Sequence, residues 1–119
     1  MKAGLTGLLA LLLVCAAGCD LPDPDREYKV QYRVSGSAQS ADITIETPSG
    51  TEQRPVSIPW TSPSYTFRGM DHAYISAQNS GETGTVTVEL IVNGATLKKA
   101  SSSGAYTIAS TDWLVGSDR

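Results

Sequence analysis

The stretch that decides the fold is TVTVELIVNGATL, residues 85–97. Apolar and polar side chains alternate along it, with the apolar ones at Val86, Val88, Leu90 and Val92. A period of two residues is typical of a β-strand that buries one face. Asn93-Gly94 then predicts a type I′ turn with both residues at positive φ, the turn whose twist suits a two-residue hairpin. The stretch therefore predicts two antiparallel strands joined by a tight turn.

The same alternation recurs along the chain after residue 27. Strands are predicted at 28–34, 43–45, 56–58, 65–67, 73–77, 86–92, 95–97 and 106–108. Turn residues separate them, and Pro59 indicates an edge strand or the end of a strand. No segment after residue 19 has the apolar spacing of an amphipathic helix. About seven to eight short strands with frequent turns predict an all-β fold, an antiparallel β-sandwich.

The N-terminal segment has the pattern of a bacterial lipoprotein signal. Lys2 precedes an apolar run at 5–14, which suits a signal peptide and is too short to cross a bilayer. The following Cys15-Ala-Ala-Gly-Cys19 resembles a lipobox, in which cleavage follows Gly18 and the Cys19 thiol carries the diacylglyceryl group. The alternative is an ordinary cleaved signal with an incidental cysteine. We favour lipidation of Cys19.

This signal divides the chain into three parts. We predict a signal peptide at 1–18, an acidic, Pro-rich linker at 19–27 that holds the domain off the membrane, and a sandwich domain at 28–119. The domain then lies in the cell envelope, anchored on the extracytoplasmic side of a membrane. Asp20 after the cysteine resembles the inner-membrane retention signal of enteric-type bacteria. Because that rule differs between lineages, the inner and the outer membrane both stay open.

Composition argues against nucleic acid, metal and enzyme chemistry. The formal net charge is −3 and no basic cluster exceeds Lys98-Lys99, so a nucleic-acid partner has no electrostatic basis. His72 is the only histidine, and its neighbour Asp71 points to the opposite face of a strand. There is no Gly-x-Ser-x-Gly nucleophile elbow, and the scattered acids form no zinc or calcium pattern. We predict no catalytic residue, no metal site and no cofactor.

Two tryptophans are the candidate binding residues. Trp60 follows Pro59 and either plugs one end of the sandwich or serves as an aromatic platform for a ligand or partner. Trp113 lies beyond the last predicted strand. It either packs back on the sheet as a final strand or is an exposed anchor for a partner.

A series of strand-and-turn motifs in 28–109 keeps the order and spacing of a known family. The motifs are VQYRVSG (30–36), ADITI (41–45), SIPW (57–60), SAQN (76–79), GTVTV (84–88), IVNG (91–94) and SGAY (103–106). Together they resemble the extracytoplasmic domain of MmpS-type mycobacterial membrane proteins and related small bacterial lipoproteins. The family uses a transmembrane helix where this chain has its anchor, and a late cysteine pair where this chain has Val88 and Thr111.

The resemblance implies an immunoglobulin-like β-sandwich and work beside an RND-type exporter. We therefore predict a lipid-anchored, non-enzymatic accessory or protein-interaction module. Its partners are the membrane, through the anchor, and an envelope protein such as that transporter. The alternatives are a glycan- or peptidoglycan-binding module and a structural envelope lipoprotein. Exposed aromatic side chains in a cluster would favour glycan, whereas an open edge strand would favour a protein partner.

Overall fold

The computed structural model describes residues 23–117, which form nine β-strands in two antiparallel sheets. The strands are β1 (Glu27–Ser35), β2 (Ser40–Thr47), β3 (Gly50–Ser57), β4 (Trp60–Thr61), β5 (Tyr65–Arg68), β6 (His72–Asn79), β7 (Thr85–Val92), β8 (Ala95–Ser103) and β9 (Ile108–Leu114). The predicted all-β fold, an antiparallel β-sandwich, is confirmed. The predicted signal peptide, Cys19 and the start of the linker lie outside the described residues.

Each sheet has two open edges. In the first sheet the order is β4-β1-β7-β8, and β5 pairs with the same edge of β1 as β4 does. In the second sheet the order is β3-β2-β6-β9. On one side of the sandwich, the edge strand β3 therefore accompanies the two short strands β4 and β5. On the other side, β8 and β9 pack against each other.

The core is built from the alternating apolar positions that the sequence predicts. The largest fully buried apolar side chains are Phe67, Ile43, Ile45, Ile75, Leu90, Val30, Val34, Val86, Val88 and Val115. Residues that pair across neighbouring strands point to the same face, so these side chains meet between the sheets. Because most of them are β-branched, they suit a pleated, half-buried surface. The domain thus holds together without a cysteine after residue 19.

Tyr32 joins the two sheets by hydrogen bonds. Its ring is buried in β1, and its hydroxyl donates to the backbone oxygen of Glu46 in β2 at 2.6 Å. The same hydroxyl accepts the backbone N–H of Tyr74 in β6 at 3.2 Å. Burial raises the pKa of Tyr32 far above its ordinary value, since the ionised phenolate would be poorly solvated there. The hydroxyl therefore stays protonated and bridges both sheets.

Two loop geometries depend on residues that tolerate positive φ. Asn93 and Gly94 have φ of 50° and 88°, which confirms the predicted hairpin turn between β7 and β8. Gly36, with φ of 126°, lies against the start of β7. A Cβ on Gly36 would lie 2.0 Å from the backbone oxygen of Thr85, so only glycine fits there.

The end of the chain differs from the prediction. Tyr106 lies in a turn with φ of 53°, and Ile108 begins β9 with its side chain exposed, so the predicted strand at 106–108 is wrong. Ile108 pairs with Gln78 on the outer face, whereas Ala109 pairs with Ala77 on the buried face. The inward positions of β9 are therefore one residue out of step with the predicted ones.

Strand bounds elsewhere also shift. The hairpins extend β3 and β8 well beyond the predicted 56–58 and 95–97, because each pairs along its whole partner strand. At the N-terminal side, β1 begins at Glu27, one residue before the predicted boundary of the domain.

Candidate functional site

Trp113 belongs to the core. It lies in β9, opposite Ala73 of β6, and only 4% of its surface is exposed. Its indole N–H donates to the backbone oxygen of Ser117 at 3.0 Å, and the Tyr28 ring meets it edge-on at 5.5 Å between centroids. Of the two alternatives, the structure selects the final strand that packs back on the sheet. A buried, hydrogen-bonded indole is not available as a surface anchor.

Trp60 lies at the side of the sandwich where β3 accompanies β4. It pairs with the buried Val34 of β1, so its half-buried ring faces inward at the rim of the core. Arg54 of β3 pairs with the buried Ile43 and also points to this side. The Arg54 guanidinium carbon lies 5.4 Å from the centre of the Trp60 ring, a cation–π contact between the two sheets.

Two more side chains complete this cluster. Tyr65 of β5 is half-buried, and its ring centre lies 6.3 Å from that of Tyr32. Burial raises the pKa of Tyr65, the carboxylate of Glu52 raises it further, and the Arg54 guanidinium opposes both. Glu52 pairs with the buried Ile45, so its side chain and that of Arg54 both face inward from β3. We name the set of Glu52, Arg54, Trp60 and Tyr65 the Trp60 seam.

The edge of β3 beside the seam has free positions for backbone pairing. Pro48-Ser49 is a two-residue loop, so the flanking Thr47 and Gly50 exchange backbone hydrogen bonds. Along an antiparallel hairpin, hydrogen-bonded residue pairs alternate with pairs that exchange no backbone hydrogen bond. Thr51 and Gln53 belong to the second kind, so their backbone N–H and C=O groups point away from β2. Pro55 occupies the next outward position, where its missing N–H breaks no bond to β2.

The sequence-predicted candidates for chemistry do not form a catalytic constellation. His72 Nε2 lies 2.8 Å from Asp112 Oδ2, and each side chain is more than half exposed. Asp71 instead accepts the backbone N–H of Arg68 at 2.9 Å. Asp71 and His72 thus have different partners, as predicted, but the strand alternation expected of them does not apply, because β6 begins at His72 and Asp71 precedes it. A hydrogen-bonded pair with both side chains largely exposed to water is an ordinary surface contact.

Glu89 is a buried acid that sequence reasoning missed. It lies on the outer face of β7 with only 8% of its surface exposed. Arg33 of β1 donates two hydrogen bonds to its carboxylate, at 2.9 and 3.0 Å, and the Thr96 hydroxyl donates a third at 2.9 Å. Hydrogen bonds from Arg33 hold the pKa of Glu89 below its usual range despite burial. Only the register of β1 against β7 could have revealed this pair, because it is the register that places Arg33 opposite Glu89.

Three further observations concern residues 23–117. No group of three or more His, Cys, Asp and Glu side chains in that range is placed to hold a metal ion. No helix within it is long and apolar enough to cross a membrane. At the end of the sandwich formed by 36–39, 80–84 and 104–107, which we name the distal end, a recess of about 470 Å³ is lined mainly by polar loop residues.

The Trp60 seam is therefore the arrangement best suited to recognition. It combines a half-buried indole, a guanidinium, a phenol and a carboxylate beside an edge strand. No protein-family model matches the chain, and no curated protein matches its sequence. The likeness to the MmpS-type domain stays a prediction from the sequence.

Proposed function

We propose that the chain is a lipoprotein, anchored through Cys19 on the extracytoplasmic side of a membrane, whose domain binds an envelope protein and catalyses no reaction. The observation that carries the binding role is the Trp60 seam beside the open edge of β3. Trp, Tyr and Arg are the residue types that dominate binding energy at protein interfaces. The resemblance supplies the class of partner, an RND-type exporter.

The geometry favours an extended segment of the partner. Such a segment could pair with the outward backbone groups of Thr51 and Gln53, and main-chain pairing of this kind is a recurring mode of peptide recognition. Its alternate side chains would then lie over the seam, where Arg54 and Glu52 offer charges of both signs. Pro55 ends the pairing because it has no N–H to donate. The contact is therefore expected along the first half of β3.

A glycan platform is less well supported by the aromatic side chains. Sugars stack on exposed ring faces, but Trp113 is buried and Arg54 covers a face of Trp60. Among the Tyr and Trp residues of 23–117, only Tyr106 is largely exposed. A single ring at a turn offers no row of stacking surfaces. A glycan is therefore an outcome of the test and not the proposal.

The test is site-specific photocrosslinking in cells that make the full chain. A photoreactive benzoylphenylalanine replaces Glu52, and the control carries it at Lys99, an exposed position on the edge strand β8. We expect a protein adduct from position 52 alone, and mass spectrometry of that adduct identifies the partner. Recovery of an RND-type exporter would support the class. Equal adducts at both positions, or glycan fragments only, would contradict the proposal.

Two second-site variants sharpen the result. Trp60→Ala removes the indole, and a hot-spot tryptophan worth about 2 kcal/mol would weaken binding roughly 30-fold. Gln53→Pro removes only an outward N–H, and Pro55 already occupies an equivalent position of β3. Both should reduce the adduct from position 52. The melting temperature of each variant shows whether the domain remains folded.

The anchor has its own measurement. Intact mass of the native protein should show acylated Cys19 at the N-terminus of the mature chain, and Cys19→Ala should release the domain or leave it unprocessed. An unacylated Cys19 in native protein would exclude the anchor without bearing on the seam.

A further inference from the structure

The described chain enters the sandwich at one end and is fixed there. The backbone oxygen of Asp23 accepts the N–H of Arg26 at 3.1 Å, and the backbone oxygen of Arg26 accepts the N–H of Gly69 at 3.0 Å. Gly69 and Asp23 approach so closely that a Cβ on Gly69 would lie 1.9 Å from the Asp23 oxygen. Residues 23–26, predicted as linker, are thus held against the turn between β5 and β6.

This contact limits how far the domain can stand from a lipid on Cys19. Four residue steps separate Cys19 from Asp23. At most about 3.6 Å of chain per residue gives a reach of about 14 Å. Asp23 therefore stays within that distance of the acylated cysteine. We name the end formed by Asp23, the turn at 69–71 and residues 114–117 the anchor-side end.

The anchor-side end presents apolar side chains to its surroundings. Met70 is 54% exposed at the tip of the β5–β6 turn, and Leu114 is 44% exposed at the end of β9. The two segments are joined, because the Met70 N–H donates to the backbone oxygen of Val115 at 3.0 Å. Met70 also has a φ of 78°, which is uncommon for a side chain other than glycine, asparagine or aspartate. A long apolar side chain is thus held outward on a fixed turn.

Charge at this end does not favour anionic lipid headgroups. The two basic side chains nearest the entry are Arg26 and Arg68, and Asp23, Asp25 and Glu27 are neighbouring acids in the sequence. The Arg26 guanidinium carbon lies 5.1 Å from the centre of the Tyr28 ring. Arg68 forms an ion pair with Glu27 at 3.3 Å. The attraction to a membrane surface therefore has to come from the apolar side chains and not from net positive charge.

We propose that the anchor-side end rests on the bilayer, with Met70 and Leu114 contacting the boundary between headgroups and acyl chains. This inference rests on the proposed lipid anchor at Cys19. It also orients the domain. Trp60 pairs with Val34, seven residues along β1 from Glu27, and a rise of about 3.3 Å per residue places the pair about 23 Å from the start of β1. Trp60 is then held away from the lipid. The first half of β3 lies nearer to the bilayer, because Glu52 is opposite Ile45, and Ile45 pairs with Ile75, three residues from the start of β6.

The test places an environment-sensitive fluorophore on the acylated protein in phosphatidylcholine vesicles. Met70→Cys and, separately, Leu114→Cys supply the thiol, and Glu82→Cys at the distal end is the control. The sequence contains only Cys15 and Cys19, so a mature acylated chain has no other free thiol. We expect a blue-shifted emission and several-fold stronger quenching by doxyl-labelled lipid at positions 70 and 114 than at position 82. Added anionic lipid should leave these differences unchanged.

Both failure modes are distinguishable. If intact mass shows acylated Cys19 but iodide in the water quenches positions 70 and 114 as strongly as position 82, the bilayer contact is refuted while the anchor stands. If the mass shows no acyl chain on Cys19, both the lipid anchor and the bilayer contact that depends on it are refuted. A cysteine at position 70, which has a positive φ, could disturb the turn, and a change in tryptophan fluorescence would reveal this. In that case the Leu114→Cys protein alone tests the bilayer contact.

Discussion

Replacing Tyr32 by phenylalanine removes the hydrogen bonds that join the two sheets and keeps the packing of the ring. The hydroxyl serves the backbone oxygen of Glu46 and the backbone N–H of Tyr74. A hydrogen bond contributes about 1 kcal/mol net, and buried partners left unsatisfied add to the loss. We expect Tyr32→Phe to lower the free energy of unfolding by about 2 kcal/mol. For a domain of this size, the melting temperature should fall by roughly 8–16 °C.

The assay is urea unfolding of the chain beginning at Asp20, followed by tryptophan emission. Trp113 is buried and Trp60 half-buried, so unfolding shifts the emission of both to longer wavelength. Tyr28→Phe is the matched control, because the Tyr28 ring packs on Trp113 and its hydroxyl bonds to no other described side chain or backbone group. If the free energy of unfolding of Tyr32→Phe lies within about 0.5 kcal/mol of that of Tyr28→Phe, the Tyr32 hydrogen bonds do not stabilise the sandwich and this prediction is wrong.

Two further predictions concern the loops and the buried acid. Gly36 and Gly50 have nearly equal φ, 126° and 129°, but only at Gly36 would a Cβ collide with backbone. Gly36→Ala should therefore lower the melting temperature clearly more than Gly50→Ala, and equal losses would rule out the close approach. Arg33 holds the pKa of Glu89 below its ordinary value, so this pair stabilises the fold fully at neutral pH and loses its effect as the pH falls through that folded-state pKa. Melting temperatures measured from neutral to acidic pH should decline less steeply for Glu89→Gln than for the wild type, and parallel curves would contradict the assignment.

The sandwich was predictable because its signals are local. The alternation of apolar and polar residues, as in 86–92, indicates which face of a strand is buried. Asn93-Gly94 favours the positive φ angles that a two-residue hairpin turn requires. Period two fixes which side chains share a face but not where a strand begins. The prediction therefore succeeded for the strands with a buried face, such as β1, β6 and β7, and gave only part of the exposed strands β3 and β8. It failed at 106–108, where a turn residue with positive φ shifts the alternation by one position.

The candidate site was only half predictable for a physical reason. Trp60 stood out by residue type and by its proline neighbour, but Arg54 reaches it from the other sheet. Which polar side chain of an edge strand faces inward depends on the register of its hairpin, and that register follows from the two-residue loop before Gly50. Trp113 posed the same problem, because its burial depends on β9 pairing with β6 and not on any local pattern.

The edges of the two sheets explain why recognition is expected at β3 and not elsewhere. An unguarded edge strand invites pairing, and proteins protect such edges with lysine, proline, short strands or irregular register. β8 carries Lys98-Lys99 and its pairing with β7 has a register shift at Leu90/Ile91. The opposite edge of that sheet consists of the short β4 and β5, and β9 is covered in part by β8. On β3, Pro55 protects the second half and leaves Gly50–Gln53 open, directly beside the Trp60 seam. Gly50–Gln53 carries neither lysine nor proline, although Glu52 places a charge at the rim of the sandwich. This stretch adjoins an indole and a guanidinium, which is the arrangement we expect where an edge is used for pairing.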